Sequence, residues 1–101
     1  MTNDLRDTGI KPVILKEIAS LAEKHGVSRV ILFGSRARGD FRRDSDIDLA
    51  IRGGDAARFH LALEDETSTL LCFDVVSLDC PISSALLSAI QKDGKLLYEK
   101  I

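Results

Sequence analysis

Three aspartates in otherwise apolar surroundings, Asp46, Asp48 and Asp74, are the residues whose placement asks for a chemical explanation. Asp46 and Asp48 alternate with Ile47, Leu49 and Ile51, a period of two that in a strand turns both acids to one face and the branched residues to the other. Their positions would be about 6.5 to 7 Å apart along the strand, so that the two carboxylates could converge on a hard cation. Asp74 stands inside the run from Leu70 to Ser77, which is otherwise almost wholly apolar, and an ionised carboxylate there is costly unless positive charge offsets it. If Asp74 lies on a neighbouring strand and on the same face, the three acids repel one another when empty. Mg²⁺ would relieve that repulsion, and it normally takes one or two carboxylates together with substrate phosphate.

A second stretch suits the other half of such a substrate. From Phe33 through Gly34, Ser35, Arg36, Ala37 and Arg38 to Gly39, an apolar run passes through glycine into a short helical turn. Gly34 permits close backbone approach, the turn offers free N–H groups, and the Ser35 hydroxyl adds a donor, all suited to a phosphate oxygen. Arg36, Arg38, Arg42 and Arg43 make this connection locally basic. Arg36, adjacent to Ser35, is the one expected at the nucleotide; the others serve equally well as a solvated face.

These residues have to be held by elements, and hydrophobic periodicity supplies them. Residues 1–11 show no usable period and are read as a flexible arm, ahead of a single domain at 12–101. Pro12 opens a helix carrying Val13, Ile14, Ile18, Leu21 and Ala22, and Gly26 ends it. Ser28 to Phe33 reads as a strand, and Asp46 to Ile51 as a second one closed by Gly53 and Gly54. Asp55 caps a helix with Ala56, Phe59, Leu63 and Leu61 on its apolar stripe. Leu70 to Ser77 is a third strand. Ser83 or Ser84 caps a helix with Leu86, Leu87 and Ile90, Gly94 stops it, and Lys95 to Glu99 is an edge strand. The fold class is therefore α/β (α+β), with helices flanking a small mixed sheet.

Composition bounds what such a domain does. With 101 residues and 45% hydrophobic content, the chain is of ordinary single-domain size and globular character. Its net charge of −2 excludes a whole-surface attraction to nucleic acid or to an anionic membrane. No apolar run approaches the roughly 18 residues of a membrane span and no signal peptide is recognisable, so a cytoplasmic location is expected. Cys72 and Cys80 lack a paired arrangement and are expected to be buried free thiols. His25, His60 and Tyr98 have no ligand-spaced partners and are read as structural.

The combination of Gly34-Ser35, ten intervening residues and Asp46-Ile47-Asp48 resembles the signature of the minimal nucleotidyltransferases in the DNA polymerase β-like superfamily. The resemblance runs from about Val27 to Leu78, and it is similar in particular to the antitoxin half of HEPN–MNT toxin–antitoxin pairs. It implies a polymerase β palm-like fold, phosphate contact by Gly34 and Ser35, and two Mg²⁺ ions held by Asp46, Asp48 and Asp74. Asp74 is assigned through Asp74-Val75-Val76, which resembles the family's later acid-bearing strand. The resemblance further implies transfer of AMP from ATP, or of another nucleoside monophosphate, by in-line displacement at the α-phosphorus. The acceptor it implies is a tyrosine of a cognate HEPN toxin, which modification would silence.

Other readings of the same residues fare worse. Asp44, Asp46 and Asp48 occupy positions 1, 3 and 5 of an EF-hand loop, but Leu49 replaces its glycine and Asp55 its final glutamate. Gly34-x4-Gly39 has the spacing of a Walker A loop, with Asp40 and Phe41 where lysine and Ser/Thr belong. Two functional alternatives remain open at this stage: transfer to a small molecule such as an aminoglycoside, and a non-catalytic antitoxin that acts by binding alone. The first is disfavoured because larger relatives use an additional helical region for the acceptor. The second gains nothing from three self-repelling carboxylates. No aromatic or amide cluster reports the nucleotide base.

Overall fold

The computed structural model describes residues 4–100. Helix α1 (Pro12–Lys24) begins with proline at its first position, where a missing N–H costs nothing, and ends at His25 ahead of Gly26. Its buried stripe is Ile14, Ile18, Leu21 and Ala22, while Val13 is 52% exposed. Val13 precedes Ile14 by one residue, a rotation of about 100° that takes it off the stripe. Strand β1 (Val27–Phe33) runs into the one-turn helix α2 (Gly34–Arg38), and strand β2 (Ile47–Gly53) follows a loop. Helix α3 (Ala56–Glu66), strand β3 (Phe73–Ser77), helix α4 (Ser84–Asp93) and strand β4 (Lys95–Glu99) complete the order.

Both later helices start where side-chain caps stand. The Asp55 carboxylate accepts hydrogen bonds from the N–H groups of Ala57 and Arg58, at 3.0 and 3.2 Å, and the Ser83 hydroxyl accepts one from Leu86 at 3.1 Å. Replacing Asp55 by alanine should cost about 1 kcal/mol in urea denaturation and leave any activity of the folded protein unchanged, since the cap lies far along β2 from the acids. Leu61 on α3 is 63% exposed and Leu87 on α4 is also exposed, so the true stripes are narrower than the apolar residues available.

The sheet has the order β3-β2-β1-β4, with β1 antiparallel to both β2 and β4, and β2 parallel to β3. It is a mixed sheet buried on two faces. Val30, Leu32, Ile47, Leu49 and Ile51 turn to one side and pack with Ile14, Ile18, Phe59 and Leu63 of α1 and α3. Ile31, Phe33 and Ala50 turn to the other, under Ile90 of α4. This second cluster is small. Helix α4 packs over β1 on that face, and farther across it Asp48 of β2 is half-buried and Asp74 of β3 exposed, so neither acid is sealed from water.

Three expectations need correction. The segment read as a flexible arm is seated where it is described: Thr8 and Ile10 are buried, and Ile10 packs in the main core. Residues 1–3 lie outside the described residues. The third strand starts at Phe73, not Leu70, and Leu70 is fully exposed; Glu17 of α1 instead holds the preceding loop by accepting from the N–H and hydroxyl of Ser68 at 2.9 and 2.7 Å. Cys72 and Cys80 are free but exposed, because they flank β3 instead of lying within it.

Candidate active site

Strand pairing brings the predicted residues together. Asp48 is the register partner of Phe33 in β1, the residue just before Gly34, and of Asp74 in β3 on its other side. Register partners share a face, so Asp48 and Asp74 stand side by side on the half-open face beside the glycine–serine turn. Asp46 lies just ahead of β2, which begins at Ile47, so it belongs to the end of the loop and not to the strand as expected. Asp46 and Asp74 are exposed and Asp48 is half-buried.

Gly34 is where backbone and acid meet. Its φ is +74°, between an extended Phe33 and the helical turn. A Cβ added there would stand 2.2 Å from Oδ2 of Asp48. Only glycine both adopts this conformation cheaply and leaves room for the carboxylate. Ser35 follows, half-buried, and its carbonyl accepts from Gly39 and Asp40 at 2.9 and 3.2 Å to close the turn.

The acids feel one another. The carboxyl of Asp48 is pushed above the usual carboxylate range, first by burial, then by the negative charges of Asp74 and Asp46, while Arg38 pulls it back. Arg38 is thus the cation that acts on Asp48, and it also pairs with Asp40 at 3.2 Å and with Asp93 of α4 at 3.9 Å. Sequence reasoning did not separate Arg38 from its basic neighbours. Its position one residue before Gly39, at the end of the turn that starts at Gly34, was the available signal.

Arg36 is placed differently from expectation. Its side chain is 1% exposed and its nitrogens donate to three carbonyls: Nε to Ser45 at 3.0 Å, Nη1 to Thr8 at 3.0 Å and Nη2 to Arg43 at 3.2 Å. Three of its N–H groups are thus engaged by backbone carbonyls, and the guanidinium is turned into the loop, away from solvent. Arg42 and Arg43 are exposed, and Arg43 borders a separate groove. That groove, of about 660 Å³, lies between residues 9–14 and residues 68–71, and none of Gly34, Ser35, Asp46, Asp48 or Asp74 lines it. The chemistry-bearing residues occupy an open face instead.

Among the described residues no three acidic, histidine or cysteine side chains close into a ready-made metal cage. The donor set nevertheless fits Mg²⁺ arriving with a triphosphate: hard oxygen donors, partly open to solvent, in which burial and then the neighbouring acids raise the pKa of Asp48, a cost that a cation would offset.

The family described as "Polymerase beta, Nucleotidyltransferase" matches residues 16–101. The chain belongs to this family. Solved structures agree on the fold of this nucleotidyltransferase domain. A toxin–antitoxin crystallised with AMP-PNP superposes with a TM-score of 0.70 at 24% identity, covering 85% of this chain and 73% of that one. A doubly substituted MntA–HpeT toxin–antitoxin, in which two aspartates two positions apart are changed to glutamate, gives 0.69 at 22% identity with the same coverage. A structure assigned to a minimal nucleotidyltransferase gives 0.62 at 32% identity, covering 79% of this chain and 85% of that one. Among proteins of curated function none matches significantly. No helix among the described residues is long and apolar enough to cross a membrane.

Proposed function

We propose that this chain transfers AMP from ATP onto a side chain of a partner protein, a HEPN-type toxin, and thereby neutralises it. The observation that carries the reading is the register pairing of Asp48 with Asp74 beside Gly34, with Asp46 two residues before Asp48. Gly34 and Ser35 would hold the triphosphate, and Asp46, Asp48 and Asp74 would hold two Mg²⁺ ions. When bound, the ions would supply charge neutralisation at the departing pyrophosphate and would lower the pKa of the acceptor hydroxyl. In the transfer, the acceptor oxygen bonds to the α-phosphorus as the bond to pyrophosphate breaks. Asp74, which is exposed and on an edge strand, would take the acceptor's proton.

Support for a protein acceptor comes from the toxin–antitoxin structures of the same fold, one of them with an ATP analogue. The aspartates altered in the MntA–HpeT variant have the same spacing as Asp46 and Asp48. The open face of this site, with two of its acids exposed, also admits an acceptor presented by another molecule. The test is to incubate the purified protein and its toxin with labelled ATP and Mg²⁺. Label should pass to the toxin with the wild type and not with Asp46→Ala/Asp48→Ala. Equal protection by that variant, with no label on the toxin in either case, would replace this reading with neutralisation by binding alone.

A further inference from the structure

Arg36 is the one charged side chain that is fully buried among the described residues, and its guanidinium meets no carboxylate there. It meets three carbonyl oxygens from two separate stretches of chain, and its guanidinium carbon lies 4.9 Å from the ring centroid of Phe41. Burying a charge against dipoles alone is costly, and it is tolerated where geometry is close to ideal. Here each nitrogen uses a different direction of the planar fork, an arrangement that a lysine ammonium cannot reproduce.

What the fork holds is the connection between the two halves of the site. Arg36 stands on α2 next to Ser35, and its Nε takes the carbonyl of Ser45. That carbonyl belongs to the peptide whose nitrogen is that of Asp46, so its orientation sets where Asp46 begins. Nη2 fixes the same loop at Arg43, and Nη1 ties it to the N-terminal segment at Thr8. The segment closes over the pair through Gly9, whose φ is +70°; a Cβ there would stand 2.4 Å from the Phe41 ring and 2.8 Å from Nη1 of Arg36.

We propose that Arg36 is the positioning residue of this site, clasping the Ser45–Asp46 peptide and the Thr8–Gly9 strap so that Asp46 is aimed beside Asp48 before nucleotide arrives. The proposal rests on the reading of Asp46 and Asp48 as metal ligands. It makes the N-terminal segment around Thr8 and Gly9 part of the machinery that orders the acids.

The test uses Mn²⁺ with a non-hydrolysable ATP analogue as probe, and reads free Mn²⁺ by its electron paramagnetic resonance in the presence of the full-length protein. Wild type, Arg36→Lys, Gly9→Ala and a distant core variant, Ile18→Val, are compared at a temperature at which thermal melts show each to be folded. Mn²⁺ affinity should fall about tenfold or more in Arg36→Lys, the scale on which supporting residues act on metal sites, and severalfold in Gly9→Ala. Ile18→Val should keep wild-type affinity although its melting temperature falls. If Arg36→Lys and Gly9→Ala melt lower yet bind Mn²⁺ as wild type does, Arg36 is a structural residue only and the proposal is overturned; it is equally overturned if Ile18→Val loses as much affinity as they do. Should Arg36→Lys fail to fold, Gly9→Ala decides between the same outcomes. Absence of Mn²⁺ binding by the wild type itself would instead refute the reading of the acids.

Discussion

Replacing Asp46 and Asp48 together by asparagine is expected to abolish nucleotide transfer while raising the melting temperature of the metal-free protein. Two electrostatic facts point in opposite directions for activity and for stability. For activity, the carboxylates are the hard donors that would hold the cations, and charge neutralisation at the transferring phosphoryl group is worth several kcal/mol, or about a thousandfold in rate or more. For stability, the carboxyl of Asp48 is raised above its ordinary range by burial and by the charges of Asp74 and Asp46. A raised pKa means that the folded protein holds this proton more tightly than the unfolded chain does. The stability it contributes is complete below the unfolded-state pKa and is lost as pH rises through the folded-state value. At neutral pH the ionised Asp48 therefore works against the fold, and asparagine, with the same shape and no charge, removes that cost. The check is a pair of thermal melts in EDTA and in Mg²⁺ with a non-hydrolysable ATP analogue. Wild type should gain stability from the ligands and the double variant should not. A variant that melts below the wild type in EDTA would contradict the account of three acids held in mutual repulsion.

Gly34→Ala is the second large effect, and here stability and activity should fall together. The new methyl group meets Oδ2 of Asp48 at 2.2 Å, and the backbone at φ +74° is strained for any residue with a Cβ. The strain costs about 1–3 kcal/mol. Asp48 must also swing away, and a displacement of about 1 Å at a reacting centre costs on the order of a hundredfold in rate. The two components separate in a double-mutant cycle. In an Asp48→Ala background the carboxylate is gone, so Gly34→Ala should cost less in urea denaturation than it does in the wild type, leaving only the backbone strain. Equal costs in both backgrounds would mean that the close approach of Gly34 to Asp48 has no energetic consequence.

Much of the site could be read before folding because its signals are local. The alternation of Asp46 and Asp48 with Ile47, Leu49 and Ile51 fixes which side chains can share a face, and Ile47, Leu49 and Ile51 all join the main core, while Ala50 is buried on the opposite face. Gly34 between an apolar strand and a short turn carries its conformational requirement in its own identity. The helices are bounded by Pro12, Asp55 and Ser83, whose capping chemistry acts within a few residues. Where local pattern misled, competition for core space was the cause. Val13, Leu61 and Leu87 are as apolar as their buried neighbours, but each lies off the narrow arc that meets the sheet.

The sequence by itself determined the chemistry available to this protein: the acids, their spacing, the glycine–serine turn, and the alternating strand and helix periods that make a mixed α/β domain. The tertiary structure decided which of those residues meet. Asp74 becomes the neighbour of Asp48 only because β3 pairs in parallel with β2 in one register, a choice made by packing α3 against the sheet across 26 residues of chain. Arg36 looked like a phosphate ligand beside Ser35, and it turns inward because Thr8, Arg43 and Ser45 offer it carbonyls and Phe41 a ring. Spacing along a chain expresses contacts within a turn or a strand, whereas burial and register are set by what the rest of the fold brings alongside.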